Sequence, residues 1–144
     1  MRFVDTNVLL YAVSTEATEA EKQQAARAIL RASDFALSVQ VLQEFFVQAT
    51  RNSRAGHLTH EQAVGLISSW TRVPIQELTV AIVVSAMAAA KRWQLSYWDA
   101  AIIESARAAG CSTVLSENLQ DGQTFDGVRV VNPFRVAVRA TEPP

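Results

Sequence analysis

The sequence predicts an α/β fold in which a parallel sheet is covered by helices on both faces. Three observations carry that prediction. Short apolar runs alternate along the chain with longer segments rich in helix formers, the pattern of strands joined by helical crossovers. The length of 144 residues fits one domain, which at that size buries roughly two-thirds of its unfolded surface. No internal repeat or low-complexity linker divides the chain.

Taken in order, Arg2 to Val4 is a short apolar strand that stops at Asp5, and Val8 to Val13 begins a first helix. Glu19 to Ala32, rich in Ala, Gln, Lys and Arg, is a second helix. Phe35 to Leu37 is too short for anything but a buried strand, and Ser38 caps a helix from Val39 to about Thr50. A polar loop with Gly56 follows, and Thr59-His60-Glu61-Gln62 is a capping box opening a helix to about Thr71. Val73 to Leu78 carries Pro74 and reads as an edge strand. Thr79 starts an Ala-rich helix ending near Trp93, and Ser96 starts another that runs to Ala109, with Gly110 as its cap. Thr113 to Leu115 and Val128 to Val131 complete the strands; most glycines fall where elements end. Residues 1–134 form the expected domain and 135–144 a tail without assigned structure.

The composition narrows the class of activity. Thirteen basic against fourteen acidic residues give a net charge of −1, so a polyanion site must be a local patch. A single cysteine, Cys111, excludes an internal disulfide and a cysteine-type zinc site, and a reduced, cytoplasmic setting is the simpler reading. The longest near-apolar stretch, Leu78 to Ala90, is too short to span a bilayer, and Asp5 interrupts any signal-peptide core. His57 and His60 read as surface residues, and Phe45, Trp70 and Trp93 as core.

Acids fall where strands end or helices begin. Asp5 follows the first strand, at the carboxyl edge of the sheet where sites of such folds lie, although an N-cap role suits it equally. Asp99 heads a helix whose apolar face is Ile102, Ile103 and Ala106, so its charge sits at the head of a buried face and needs a partner, although Ser96 to Asp99 also fits a capping box loosely, Glu or Gln being usual at that place. Glu44 lies nearly opposite the stripe Val39, Leu42, Phe46 and Ala49, and taken alone reads as part of a solvated face. Ser116 to Gly122 follows the fourth strand and contains Glu117, Asn118 and Asp121. Converging carboxylates repel and raise one another's pKa, a cost that a divalent cation removes. Oxygen donors without nearby Cys or His favour Mg²⁺ or Mn²⁺, which suit phosphodiester chemistry.

Phe3-Val4-Asp5-Thr6-Asn7-Val8-Leu9, a Glu on the helix after the second strand, Ser96-Tyr97-Trp98-Asp99-Ala100-Ala101-Ile102-Ile103, and Leu115 through Gly122 together resemble the PIN domain, and within it the VapC-like toxin ribonucleases of toxin–antitoxin pairs. The resemblance runs from Phe3 to Phe134. It implies a three-layer α/β/α fold with a central, mostly parallel sheet, and a Mg²⁺- or Mn²⁺-dependent endoribonuclease. Carried over, Asp5, Glu44 and Asp99 match the family's first, second and third acids, and Thr6, Asn7 and Ser116 the polar residues that order the site. At Asn118 many relatives carry Asp; Asp121, three residues on, then supplies the missing charge, with Glu117 the lesser candidate.

The chemistry implied is in-line attack of water on an RNA phosphate, with Asp5 and Asp99 holding the ion and Glu44 or Asp121 orienting the water or holding a second ion. The implied partners are an RNA substrate, a cognate antitoxin protein and a second copy of the chain, with no membrane. Arg51, Arg54, Lys91 and Arg92 are either phosphate contacts or cations placed favourably at helix C-termini. Three alternatives stand beside this reading. The first is a catalytically weakened PIN-fold module that binds RNA or protein. A phosphatase of the haloacid dehalogenase type is disfavoured by Asn7, where its second Asp belongs. A small-molecule binder is disfavoured because no Gly-rich loop follows the first strand.

Overall fold

The computed structural model describes residues 1–135. In chain order its elements are β1 (Arg2–Val4), α1 (Thr6–Ala12), α2 (Ala20–Ala32), β2 (Phe35–Ser38), α3 (Val39–Ala49), α4 (His60–Trp70), β3 (Ile75–Gln76), α5 (Val80–Trp93), α6 (Tyr97–Ala108), β4 (Thr113–Leu115), β5 (Thr124–Phe125) and β6 (Val128–Val131). The strands among the described residues form one six-stranded sheet in the order β3-β2-β1-β4-β6-β5. Every pairing is parallel except β5 with β6. Phe3, Val4, Phe35, Ala36, Leu37 and Val114 are fully buried, as strands covered on both faces require. Of the expected tail, residues from 136 onward lie outside the described part of the chain.

The topology decides where a site forms. From β1 the chain passes to β2 on one side, and later β4 takes up the other side. Reversal of direction beside β1 opens a crevice at the carboxyl ends of the strands. Asp5 follows β1 there, Ser116 follows β4, and α3 leaves directly from β2.

The helices gather in two groups. α1 packs on α2 and α3, and α3 on α4. α6 lies along β2, β3, β4 and β6, with α5 against it. Ala86 and Ala89 of α5 meet Ala100 and Ala101 of α6 in a seam of small residues, while Ile102, Ile103 and Ala106 join the main core. Both sides of α6 are therefore packed, which fixes the N-terminus that carries Asp99. Thr59 and Gln62 form the expected capping box, and Ser38, Thr79 and Ser96 each cap a helix through the side-chain oxygen.

Several details differ from the sequence reading. The buried face of α3 is Gln40, Val41, Phe45 and Ala49, rotated by about one residue from the Val39, Leu42, Phe46, Ala49 stripe. Phe45, fully buried, meets Trp70 edge-on at 4.8 Å, whereas Phe46 faces the exposed ring of His60 at 5.6 Å. The edge strand after Pro74 contracts to two residues. α1 begins at Thr6 rather than Val8, because Asp5 serves as its N-cap. Gly65 lies inside α4 rather than at an end. The strand Thr124–Phe125 was not anticipated; it turns into β6 through Asp126 and Gly127, both at positive φ (47° and 85°). An Asp-Gly pair at that conformation is a strong hairpin signal.

The Phe45–Trp70 contact joins α3 to α4 and thereby holds the helix that carries Glu44. Phe45→Ala is expected to lower unfolding free energy by about 3–5 kcal/mol in urea titrations. A loss below about 1 kcal/mol would show that α3 is not fixed by this contact.

Candidate active site

Asp5 is the centre of the site and is only 6% exposed. Its carboxylate accepts from the backbone N–H of Thr6 at 2.7 Å and from the hydroxyl of Ser116 at 2.8 Å. Asn7 joins the ends of β1 and β4. Its Nδ2 donates to Ser116 Oγ at 3.1 Å and approaches Asp5 Oδ2 at 3.5 Å, and its Oδ1 accepts from the backbone of Glu117 at 3.1 Å. The backbone N–H of Asn118 in turn donates to Ser116 Oγ at 3.1 Å. The Asp-Thr-Asn run and Ser116 are thus one hydrogen-bonded unit, although 109 residues separate Asn7 from Ser116.

Glu44 joins this unit from α3. Thr6 Oγ1 donates to Glu44 Oε2 at 2.8 Å, and Gln40 Nε2, one helical turn earlier, donates to Oε1 at 3.0 Å. Gln40 also reaches the backbone carbonyl of Trp98 at 3.4 Å, tying α3 to the start of α6. Asp99 sits in the first turn of α6, with its own N–H donated to Ser96 Oγ. Burial lifts the Asp5 carboxyl to about 6. The Ser116 and Thr6 hydrogen bonds oppose that rise, and the charges of Glu44 and Asp99 add to it. Glu44 and Asp99 thus each lie within electrostatic reach of Asp5.

The acids of the chain divide by their partners. Glu117 is tied by Lys22 Nζ at 2.9 Å and by the Tyr11 hydroxyl at 2.7 Å. Asp121 accepts from the backbone of Asn132 at 2.9 Å and lies 3.9 Å from Arg135 Nη1. Glu104 pairs with Arg107, and Asp126 with Arg92. Asp5, Glu44 and Asp99 have no cationic side chain in ion-pair contact among the described residues. Thr6, Asn7, Glu44, Gln48, Arg54 and Asn118 help line a cleft of about 250 Å³ at this edge of the sheet. Asp5, Asp99 and Asp121 are outside that lining, Asp5 lying buried behind Thr6 and Asn7. Gln40 escaped the sequence reading as a site residue; its spacing of four from Glu44 on one helix was the available signal.

Three partly or fully buried carboxylates, all oxygen donors, suit a hard divalent cation. No group of three His, Cys, Asp or Glu side chains among the described residues is drawn tightly enough to hold an ion as it stands. The raised Asp5 carboxyl, with like charges on two sides, is the observation that fits a cation there, since a positive charge would reverse each of those effects.

The sequence profile of the PIN domain family matches residues 2–120. A search of curated proteins gave no match. Among solved structures, the chain is similar to a toxin–antitoxin complex from Klebsiella pneumoniae, with a TM-score of 0.68 and 21% identity over 92% of this chain and 98% of that one. It is also similar to FitAcB from Neisseria gonorrhoeae, with a TM-score of 0.65 and 21% identity over 93% and 99%. VapC20 of Mycobacterium tuberculosis, a sarcin–ricin loop cleaving toxin, gives 0.58 and 22% over 95% of each chain. At these identities the likeness is one of fold.

The Asp5 shift has a sign that can be measured. Its folded pKa of about 6 exceeds the ordinary 3.8, so the folded state holds a proton that the unfolded state has lost between those values. Stability therefore falls as pH rises through that window, and above it the charged carboxylate costs on the order of 3 kcal/mol. In EDTA, Asp5→Asn should stabilise the protein at pH 7.5 and lose most of that advantage near pH 4. Mg²⁺ or Mn²⁺ should raise the melting temperature of the wild type more than that of the variant. A stability difference independent of pH would rule out the buried-charge account.

Proposed function

The chain belongs to the PIN domain family, and from that premise we propose that it is a Mg²⁺- or Mn²⁺-dependent endoribonuclease, acting as the toxin of a toxin–antitoxin pair. The observation that carries the reading is a buried Asp5, held by neutral donors and feeling the charges of Glu44 and Asp99 from two other stretches of chain, with no cationic side chain in ion-pair contact with any of the three among the described residues. The relative that cleaves the sarcin–ricin loop supports RNA as the substrate class. The toxin–antitoxin complexes among the similar structures support an antitoxin as a partner. A second copy of the chain is the other proposed partner. No helix among the described residues is long and apolar enough to cross a membrane.

In this reading Asp5 and Asp99 hold the ion, and Glu44 completes the ligand set or orients the attacking water. When bound, Mg²⁺ or Mn²⁺ supplies charge neutralisation at the phosphoryl oxygens and a lowered pKa for water. Thr6 fixes the Glu44 carboxylate through its hydroxyl, while Ser116 and Asn7 fix Asp5. Such partners orient metal ligands and typically matter by 10–100-fold. Asn118 offers a neutral oxygen at the cleft, and Asp121 is the more remote candidate for a second ion because its carboxylate already serves Asn132 and Arg135.

The test is cleavage of RNA with Mg²⁺ or Mn²⁺. EDTA should abolish it. Asp5→Asn and Asp99→Asn should each lower kcat by about 100-fold or more, and Thr6→Val by roughly 10–100-fold, acting through Glu44. Cleavage by Asp5→Asn at the wild-type rate would discard the mechanism and leave the weakened binding module as the reading.

A further inference from the structure

Two features beside the acidic centre are not used by the chemistry just described. Trp98, the residue before Asp99, is 64% exposed. Its ring touches Tyr97 edge-on at 5.0 Å, and its carbonyl is held by Gln40. Trp70 is buried and Trp93 packs on Phe125 at 5.3 Å, so Trp98 is the one indole of the chain presented openly to solvent.

Arg54 is the second feature. It lines the same cleft as Glu44 and also the adjoining cleft of about 210 Å³ beside Ser14, Glu19 and Gly56. Its guanidinium makes no hydrogen bond or ion pair among the described residues, although Glu19, Glu44 and Glu117 line the cleft with it. The loop that carries it is pinned. Leu58 N–H donates to Ala49 C=O at 2.8 Å, and His57 N–H to Arg54 C=O at 3.2 Å. At Gly56, φ is +68°, and an added Cβ would run into the Thr15 hydroxyl, so the loop lies directly against the α1–α2 connection.

Between these two features runs the polar edge of α3. Gln40, Glu44 and Gln48 recur every four residues on one side of the helix. Gln40 contacts Trp98 at one end, and Gln48 shares the cleft with Arg54 at the other. Gln40 is buried and committed to Glu44 and the Trp98 carbonyl, so it fixes this edge, while the open indole, the Gln48 amide and the uncommitted guanidinium on a rigid loop match the needs of an unpaired polynucleotide strand. Bases stack on aromatic faces, and phosphates seek Arg. What favours a polynucleotide over a protein partner here is the pairing of the indole with a guanidinium in the cleft that holds Glu44.

We propose that this edge of α3 is a track for single-stranded RNA, with Trp98 stacking a base on one side of the cleaved phosphate and Arg54 gripping a backbone phosphate on the other. The proposal rests on the nuclease reading and assigns how that site takes its substrate. Both residues position the strand; neither touches the reacting atoms.

The experiment separates the track from the chemistry. Binding of a labelled single-stranded oligoribonucleotide of mixed sequence, and of the same strand in a duplex, is measured by anisotropy with Ca²⁺ replacing Mg²⁺, since Ca²⁺ accepts the same oxygen ligands. Tryptophan emission is followed in parallel. The single strand should bind in preference to the duplex and quench the emission, and Trp98→Phe should remove the quench while retaining most of the binding. Trp98→Ala should weaken binding by roughly 5- to 100-fold. Arg54→Ala should reduce the slope of log K against log salt by about 1, and Arg54→Lys should restore it. In Mg²⁺ cleavage assays the same losses should fall on KM more than on kcat.

Wild-type binding by both alanine variants overturns the track, and with intact cleavage it leaves the nuclease standing. Trp98→Ala that binds RNA normally makes the indole a protein-contact residue, which also overturns it. Binding with the expected losses but no cleavage in Mg²⁺ or Mn²⁺ supports the track and sinks the nuclease reading instead.

Discussion

A carboxylate buried at the junction of β1 and β4 is the constraint around which this molecule is arranged. Removing Asp5 from water raises its carboxyl to about 6, a cost that the fold accepts because the same group caps α1 and receives the Ser116 hydroxyl. Its donors are neutral and come from the two strands that part at the carboxyl edge. A cationic side chain in the same place would relieve the charge. In the proposed function, the stability given up at Asp5 is the counterpart of a place for an external positive charge.

The other parts of the site follow from that centre. Thr6, adjacent to Asp5, points its hydroxyl at Glu44 and so couples α3 to the end of β1. Gln40 couples α3 to the first turn of α6. α6 is itself clamped between the sheet and α5, so Asp99 is delivered by a helix packed on both sides. Three carboxylates are thereby carried by elements that cannot shift independently. Packing supplies the rigidity, and short polar side chains supply the register.

Much of this was legible in the residues. Asp5 after an apolar strand and Asp99 at the head of an apolar helical face both announce themselves by position, and the capping box at Thr59 is a local signal with a local cause. Glu44 is different. The stripe Val39, Leu42, Phe46, Ala49 suggested a solvated glutamate, and only the resemblance to a family pointed to it. α3 is packed by α1 on one side and α4 on the other, which turns its buried face toward Gln40, Val41 and Phe45, and no single-helix periodicity contains that information. The Asp126-Gly127 hairpin was present in the sequence as a turn signal, yet a two-residue strand has too little apolar pattern to be read. The partners of Glu117 and Asp121 are long-range in space as well, since Lys22 comes from α2 and Arg135 from beyond β6.

In the proposed function, those partners bear on how a chain of net charge −1 would serve a polyanion. Lys22 neutralises Glu117 and Arg135 lies near Asp121, so two of the acids at this edge are already balanced by the protein's own cations. Asp5, Glu44 and Asp99 have no ion-pair partner among the described residues, and a divalent ion held by them would balance most of their charge. Arg54, without an ion-pair partner among the described residues, stands in the same cleft as Glu44. In the proposed function, an ion held there together with the Arg54 guanidinium would lessen the repulsion that a phosphate meets from the cleft's acids. Net charge is therefore a poor guide to substrate here; which acids are paired, and with what, is the informative quantity.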